Sequence, residues 1–339
     1  MTLPITQRRQ LLESRQLHIS CVVPVHNEAE GIARFLAELQ TALEALTDRV
    51  EILVVDDGSK DDSLSVVAGM VNGRPLKAIS MSRNFGKESA LTAGMTHASG
   101  DVTILIDADF QHPFDTMAVF VDHWAQGYDM VYGVRTSRDG ESGVKKAFSN
   151  LFYALTDRVN ETPIPKNAGD FRLMDREVVH AILTCGERNR FMKGLYAWVG
   201  FQSIGVPFEV QARETGESSW GFRNLVALAL DGIFSYSNVP LRVWGFVGLT
   251  ISSLSVAYGA WVIFSTLYYG KDTPGFATLV VAITFLGGVQ LLSVGILGEY
   301  VGRIFTEVKG RPNYIIATKI GFAGEASIPS AHAARAEAS

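Results

Sequence analysis

Cysteine is nearly absent from this chain. Cys21, in an apolar run, and Cys185, near a predicted helix end, are the only two, which excludes a disulfide framework and points to a reducing compartment for the soluble part. Surplus positive charge is also missing. The formal net charge is −5, whereas a nucleic-acid binder carries a basic footprint, so nucleic acid is excluded as a partner and any acidic ligand must be held by local basic residues. Residues 1–17 are polar, with Arg8, Arg9 and Arg15, and lack the apolar stretch of a signal peptide. No GxGxxG follows the first predicted strand, which counts against a dinucleotide-binding dehydrogenase.

Charge of either sign is lacking from residues 243–269 and again from residues 273–298. Each run exceeds the roughly 20 residues that cross a bilayer core, so both read as transmembrane helices. Between them Lys271 and Asp272 cancel, while Arg223 and Arg242 precede the pair and Arg303, Lys309, Arg311 and Lys319 follow it. The positive-inside rule then puts both flanks in the cytoplasm, as a hairpin that leaves the N-terminal domain and the C-terminal tail on one side. Trp244, Trp261, Tyr268, Tyr269 and Tyr300 fit interfacial anchors. The apolar, mildly amphipathic stretch 220–236 predicts a helix lying in the membrane interface.

What is present upstream is an α/β pattern. Within the 339 residues, short β-branched runs at 19–25, 51–56, 77–81, 102–107 and 129–134 alternate with amphipathic stretches at 28–46, 62–70, 87–98 and 113–126. This is the pattern of βαβ units in a mostly parallel, Rossmann-like sheet. The stretch RTSRDGESG, residues 135–143, suits a mobile loop over a site. A helix at 144–159 and a strand or turn at 171–174 are expected next. The division of the chain is then a polar N-terminal extension (1–18), a large α/β domain (19–219), a juxtamembrane segment (220–242), two spans (243–269 and 273–298) and a tail (299–339), disordered from about residue 321.

The sharpest chemical signal is Ile104-Leu105-Ile106-Asp107-Ala108-Asp109, an apolar strand running into two carboxylates. Ligands of open α/β sheets sit beyond the carboxyl ends of strands. Two carboxylates there call for a cation, and hard oxygen ligands suit Mg²⁺ or Mn²⁺ bridging a diphosphate leaving group. Alone, an Asp-x-Asp also fits a helix cap or turn. A second pair, Asp56-Asp57-Gly58-Ser59, follows an earlier strand, where an aspartate can accept hydrogen bonds from a base or ribose and Gly58 permits close backbone approach.

Five ordered motifs, VVPVHNEAEGI, VVDDGSKDDS, SRNFGKESALTAGMTHASGD, ILIDADFQHPFD and GDFRLMDREVV, followed by an apolar hairpin and LGEYVGRIFTEVKGRPNY, give the chain a resemblance from about residue 19 to 313. It resembles the inverting GT-A-fold glycosyltransferases that act on polyprenyl phosphates, such as bactoprenol glucosyltransferases and dolichol-phosphate mannosyltransferase-like enzymes. The resemblance implies transfer of a hexose, in the first instance glucose from UDP-glucose, to undecaprenyl phosphate with inversion, for cell-envelope glycan modification at a bacterial inner membrane. It implies that Asp107 and Asp109 hold Mg²⁺ or Mn²⁺ and the donor diphosphate, with His112 a further metal or phosphate contact. By the same resemblance Pro24, His26, Glu28 and Asp57 would line the nucleoside pocket with Asp56 beside them, and Arg83, Asn84 and Lys87 would lie near donor phosphates or sugar. Asp170 stands near the reaction centre as a base or an orienting group. Arg172, Arg135, Arg138 and Arg213 are candidates for the acceptor phosphate, and a homotetramer is implied as well.

Three other functions share parts of this pattern. A processive polysaccharide synthase has the fold and membrane attachment but more spans and a Gln-x-x-Arg-Trp motif, whose nearest analogue here is Gly216-Glu217-Ser218-Ser219-Trp220. A scaffold or flippase would leave the carboxylate pairs without purpose and needs an intramembrane polar path that these spans lack. A nucleotidyltransferase would release pyrophosphate rather than a nucleoside diphosphate.

Overall fold

A computed structural model describes residues 2–136, 168–188, 190–210, 239–269 and 275–322. They belong to two compact units, one comprising the chain up to residue 210 together with residues 311–322, the other the two long helices. The expected helix at 144–159, the interfacial stretch 220–236, Arg138 and Arg213 lie outside the described residues.

The first unit is built on eight strands: β1 (His18–Val25), β2 (Arg49–Asp56), β3 (Leu76–Met81), β4 (Val102–Leu105), β5 (Met130–Arg135), β6 (Ala168–Asp175), β7 (Ser203–Phe208) and β8 (Ile316–Ile320). They form one sheet in the order β7-β5-β6-β4-β1-β2-β3-β8. β1 pairs in parallel with β2 and β4, β2 with β3, and β5 with β7. Only β6 and β8 run against the rest. The mostly parallel sheet expected from the alternating pattern is therefore present, and its central strands are apolar on both faces because helices cover both.

Along β1, Ile19, Cys21, Val23 and Val25 face one layer and Val22 the other. The first layer packs under α2 (Ile32–Leu46), α3 (Ser63–Met70) and α5 (Thr116–Ala125), the second under α4 (Lys87–His97), α6 (Arg176–Thr184) and α7 (Met192–Trp198). In α2 the buried residues Ile32, Phe35, Leu36, Leu39 and Leu43 fall at helical spacing, one stripe against the sheet. This helix starts at Ile32 rather than residue 28, since Glu28 to Gly31 form a turn whose first amide donates to Ser63 Oγ at 2.8 Å. β4 stops at Leu105 rather than 107: Ile106 still donates to the Val22 carbonyl, and the chain then leaves the sheet through Phe110 at φ 58°. Cys21 is wholly buried and burial pushes its thiol up; both cysteines are free.

The N-terminal extension is more than a polar lead. Residues 5–13 form the helix α1 (Ile5–Glu13), and its Arg8 is buried at 2% exposure. The Arg8 guanidinium donates to the carbonyls of Leu3, Trp124 and Tyr128, pairs with Asp129 at 2.7 Å and Asp175 at 3.4 Å, and lies over the Trp124 ring. Asp175 in turn accepts from Trp124 Nε1 and caps α6 by accepting from the Glu177 amide. Leu11 and Leu12 of α1 pack against the core beside this buried arginine.

The second unit holds α8 (Val239–Tyr269) and α9 (Phe276–Val308), joined by a hydrogen bond from Trp244 Nε1 to Ser293 Oγ. Segments Phe246–Tyr269 and Val281–Val308 are long and apolar enough to cross a membrane, and none of either window is buried. The sequence boundary at residue 298 falls inside α9. Glu299 and Arg303 pair one turn apart, so charge enters the helix without ending it.

The Arg8 network sets a first test. Arg8→Ala strands Asp129 and Asp175 without their cation and should destabilise the first unit by about 3–5 kcal/mol. Urea unfolding of the detergent-solubilised chain, followed by circular dichroism, checks this; a loss below about 1 kcal/mol would mean that α1 is an ornament on the fold.

Candidate active site

Parallel strands deliver their carboxyl ends to one rim, and β1, β2, β3 and β4 place Val25, Asp56, Met81 and the Asp107 loop there. β6 runs the other way, so its first residues reach the same rim: Leu105 lies opposite Arg172, and Ala168 opposite Val134. That reversal brings Asp170 beside Asp107. It could not be read from spacing, because the two are separated by a long stretch of chain.

On the β1–β2–β3 side, three loops brace one another. Asp57 is 4% exposed and accepts from the amides of Phe85 at 2.7 Å and Gly86 at 2.9 Å. Burial nonetheless pushes its carboxyl up, with the two amides opposing. Asp56 accepts from the Ser59 amide and from Ser80 Oγ. Both members of the pair are thus buried and tied to backbone or to a neighbouring strand. His26 Nδ1 lies 3.0 Å from the Asp57 carbonyl and Nε2 lies 3.2 Å from Asn84 Nδ2. A carbonyl only accepts, so the ring carries its proton on Nδ1 and receives the Asn84 amide on Nε2. Gly58 sits at φ +64°, and a Cβ there would stand 2.6 Å from the Asn84 amide nitrogen. The glycine is required by this close crossing of two loops. Pro24 lies at the end of β1, Glu28 in the following turn, and Arg83 is exposed with its guanidinium over the Phe85 ring at 3.9 Å.

On the β4–β6 side the carboxylates converge on an ammonium. Lys87 Nζ, at the first residue of α4, lies 2.7 Å from Asp107 Oδ1, 2.8 Å from its Oδ2 and 2.9 Å from Asp170 Oδ2. Burial would raise the Asp107 carboxyl, but Lys87, with His112 Nε2 a further 3.8 Å neighbour, holds it far below the usual range. Asp170 is likewise lowered, burial being outweighed by Lys87 and Arg172 despite the charge of Asp107. The Lys87 ammonium is pulled down by burial and held above its ordinary value by Asp170 and Asp107. Asp109 stands apart, with Oδ1 accepting from the Gln111 amide at 3.1 Å.

His112 and Arg172 lie deeper than the sequence placed them. His112 is 4% exposed, its ring stacked on Phe171 at 4.7 Å, with Nε2 3.8 Å from Asp107 Oδ2. Its Nδ1 has no partner among the described residues. Arg172 is 3% exposed; its guanidinium lies 3.3 Å over the Tyr196 ring and donates to the Gly169 carbonyl. Both therefore stand behind the carboxylates rather than at the mouth, His112 supporting Asp107 and Arg172 lying under Asp170. Arg135 ends β5, half-buried, beside Phe208 of β7.

Two residues that sequence reasoning missed join this cluster. Lys193 in α7 is half-buried; burial lowers its ammonium, opposed by the charge of Asp170, and it also feels Lys87, Arg172 and Arg135. Glu88 follows Lys87, and its carboxylate accepts from the Met192 amide at 3.3 Å, drawing the start of α7 toward Asp170. Lys193 lies outside the five motifs, and Glu88, although inside SRNFGKE, has nothing in the motif to link it to α7; the fold brings both here.

Among the described residues no group of three or more His, Cys, Asp or Glu side chains is arranged to hold a metal by itself. The donor set still fits a hard divalent ion. Mg²⁺ and similar ions take one or two carboxylates and complete their shell with water and substrate phosphate, and Asp107 already points both oxygens at a cation.

Burial, with the charge of Asp170 second, pushes the Glu88 carboxyl up to about 7 from an ordinary 4.5. Between those values the folded chain keeps a proton that the unfolded chain has lost, so this group withdraws stability as pH rises through the window. Glu88→Gln keeps an acceptor for Met192 and removes the ionisation. It should melt higher than the unsubstituted protein at pH 8, with the difference gone by pH 4.5. Parallel melting curves across that range would contradict the assignment.

Residues 20–183 match the family model of glycosyl transferase family 2, and residues 239–304 match that of the GtrB C-terminal hairpin. An uncharacterized glycosyltransferase of Synechocystis is 47% identical over 302 residues, 89% of this chain and 95% of that one. A bactoprenol glucosyl transferase of Shigella phage SfV is 45% identical over 301 residues, 88% of this chain and 98% of that one. The solved glucosyl-3-phosphoglycerate synthase of Mycobacterium tuberculosis is similar over 69% of this chain and 82% of that one, with a TM-score of 0.45 and 21% identity. Alignment with these two relatives over nearly their full lengths, across both the carboxylate rim and the paired apolar helices, means that this protein belongs to glycosyl transferase family 2.

Proposed function

We propose that this protein transfers glucose from UDP-glucose to undecaprenyl phosphate at the cytoplasmic face of a bacterial inner membrane, with inversion at the anomeric carbon. One observation carries the reading: a rim of carboxylates and basic side chains occurs in the same chain as two exposed apolar helices. A relative named for bactoprenol, aligned over both parts, supports it.

In the proposed reaction an oxygen of the lipid phosphate attacks the anomeric carbon as the bond to the donor diphosphate breaks, and the nucleoside diphosphate leaves. Asp107 and Asp109 would hold Mg²⁺ or Mn²⁺, which, when bound, neutralises charge on the departing diphosphate. The braced loops of His26, Asp57 and Asn84, with Pro24, Glu28 and Arg83 beside them, form the nucleoside side. Asp56 acts behind them by fixing Ser59 and Ser80. A phosphate monoester has its second pKa near ~6 and reaches the site already a dianion. No base is therefore needed, and Asp170, held ionised by Lys87 and Arg172, orients the basic groups around it.

Lys193 and Arg135 would receive the acceptor phosphate, and Arg138 and Arg213, outside the described residues, are further candidates for that role. Buried Arg172 acts through Asp170 and Tyr196.

Purified protein given undecaprenyl phosphate, a divalent ion and a panel of nucleotide sugars should form lipid-linked glucose from UDP-glucose, and Asp107→Asn should abolish it. Formation of polymer, or transfer undiminished in excess EDTA, would sink the reading. Lys193→Gln removes a charge-assisted hydrogen bond worth roughly 1.5–3 kcal/mol, so the acceptor concentration for half-maximal rate should rise by about 10- to 150-fold with donor affinity unchanged by calorimetry. Lost donor affinity with an unchanged acceptor curve would move Lys193 to the diphosphate. For topology, a cysteine replacing Lys271 should be labelled only from outside the cell and one replacing Lys309 only from inside. Labelling of both from one side would refute the hairpin.

A further inference from the structure

A lysine is electrostatically misplaced at the start of a helix, where the macrodipole presents its positive end. Lys87 nevertheless opens α4 directly after Gly86. What holds it there is the carboxylate convergence on the rim: Asp107 at 2.7 and 2.8 Å through its two oxygens, and Asp170 at 2.9 Å. The amides on its N-terminal side are pinned in turn, since Phe85 and Gly86 both donate to Asp57. The ammonium thus stands on a braced loop, aimed at the point where two strands of opposite direction bring their carboxylates together.

One ammonium between two carboxylates does what a divalent ion does in such a place, allowing like charges to share a small volume. It does so with a single charge on a stem of four carbons, whose side chain is 42% exposed. Two carboxylates and one ammonium leave a single net negative charge, a poor attraction for a strongly hydrated divalent ion. A diphosphate alters that balance twice over, by supplying oxygen ligands for the ion and by offering the ammonium a new anionic partner.

We infer that Lys87 competes with the divalent ion for Asp107, so that the ion binds together with the nucleoside diphosphate and not ahead of it. The inference rests on the reading of Asp107 and Asp109 as the ion's carboxylates. Lys87 is then a positioning residue that keeps Asp107 and Asp170 ionised and close together until the donor arrives, and its own displacement couples ion uptake to donor uptake.

The test is binding of Mn²⁺ to the full-length detergent-solubilised protein, read from the electron paramagnetic resonance signal of free Mn²⁺, with and without UDP. The unsubstituted protein should bind Mn²⁺ weakly alone and tightly with UDP. Lys87→Met removes the competitor and should bind Mn²⁺ without UDP at least about tenfold more tightly than the unsubstituted protein, the equivalent of about 1.4 kcal/mol. Lys87→Arg keeps the charge and should stay weak. Should the methionine variant melt early, Lys87→Gln serves the same purpose with a polar side chain at this partly exposed position. If the neutral variants bind Mn²⁺ no better than the unsubstituted protein without UDP, while binding with UDP persists, competition by Lys87 is wrong and the metal reading stands. If no variant binds Mn²⁺ even with UDP, the metal reading fails and the inference falls with it.

Discussion

Two carboxylates brought to one rim repel each other, and Lys87 is the group that lets Asp107 and Asp170 both remain ionised there. Much of the site is arranged around that contact. α4 must begin where its first side chain reaches both acids, so Asp57 holds the preceding amides of Phe85 and Gly86. His112 stands behind Asp107 and Arg172 behind Asp170, each buried against aromatic rings that leave it little freedom. Opposing charges in a partly desolvated rim fix positions more firmly than exposed pairs do, because water screens them less.

The β1–β2–β3 side of the rim depends on a different device, in which loops are braced by hydrogen bonds from side chain to backbone. His26, Asp57 and Asn84 tie the turns after β1, β2 and β3 together, and Gly58 lets two of those turns cross at a distance that a side chain would forbid. Such bracing presets the rim before a ligand arrives, which lowers the ordering cost of binding. Elsewhere in the unit, the buried guanidinium of Arg8 joins α1 to the ends of α5, β5 and β6.

The apolar helices answer a separate demand. Leu249, Trp261, Leu267, Leu291 and Val301 are each more than half exposed, a surface that water penalises and hydrocarbon does not. The proposed acceptor, a polyprenyl phosphate, combines a charged head with a long apolar tail suited to a bilayer.

The linear sequence determined the local features by itself. Parallel strands between covering helices followed from β-branched runs alternating with amphipathic stretches, and the apolar pair of helices from the absence of charge, because both depend on neighbours in the chain. The aspartate pairs were legible for the same reason, each sitting where a strand ends. Their partners were not. Asp170 reaches Asp107 only because β6 runs antiparallel to β4, and Lys193, Glu88 and the α1 anchor Arg8 owe their places to packing between segments distant in sequence. The resemblance is equally blind to depth: it implied ligand contacts for Arg172 and His112, both of which tertiary packing buries. A pattern of residue types records which way a strand or helix faces, but which charge meets which is decided only when the sheet order closes.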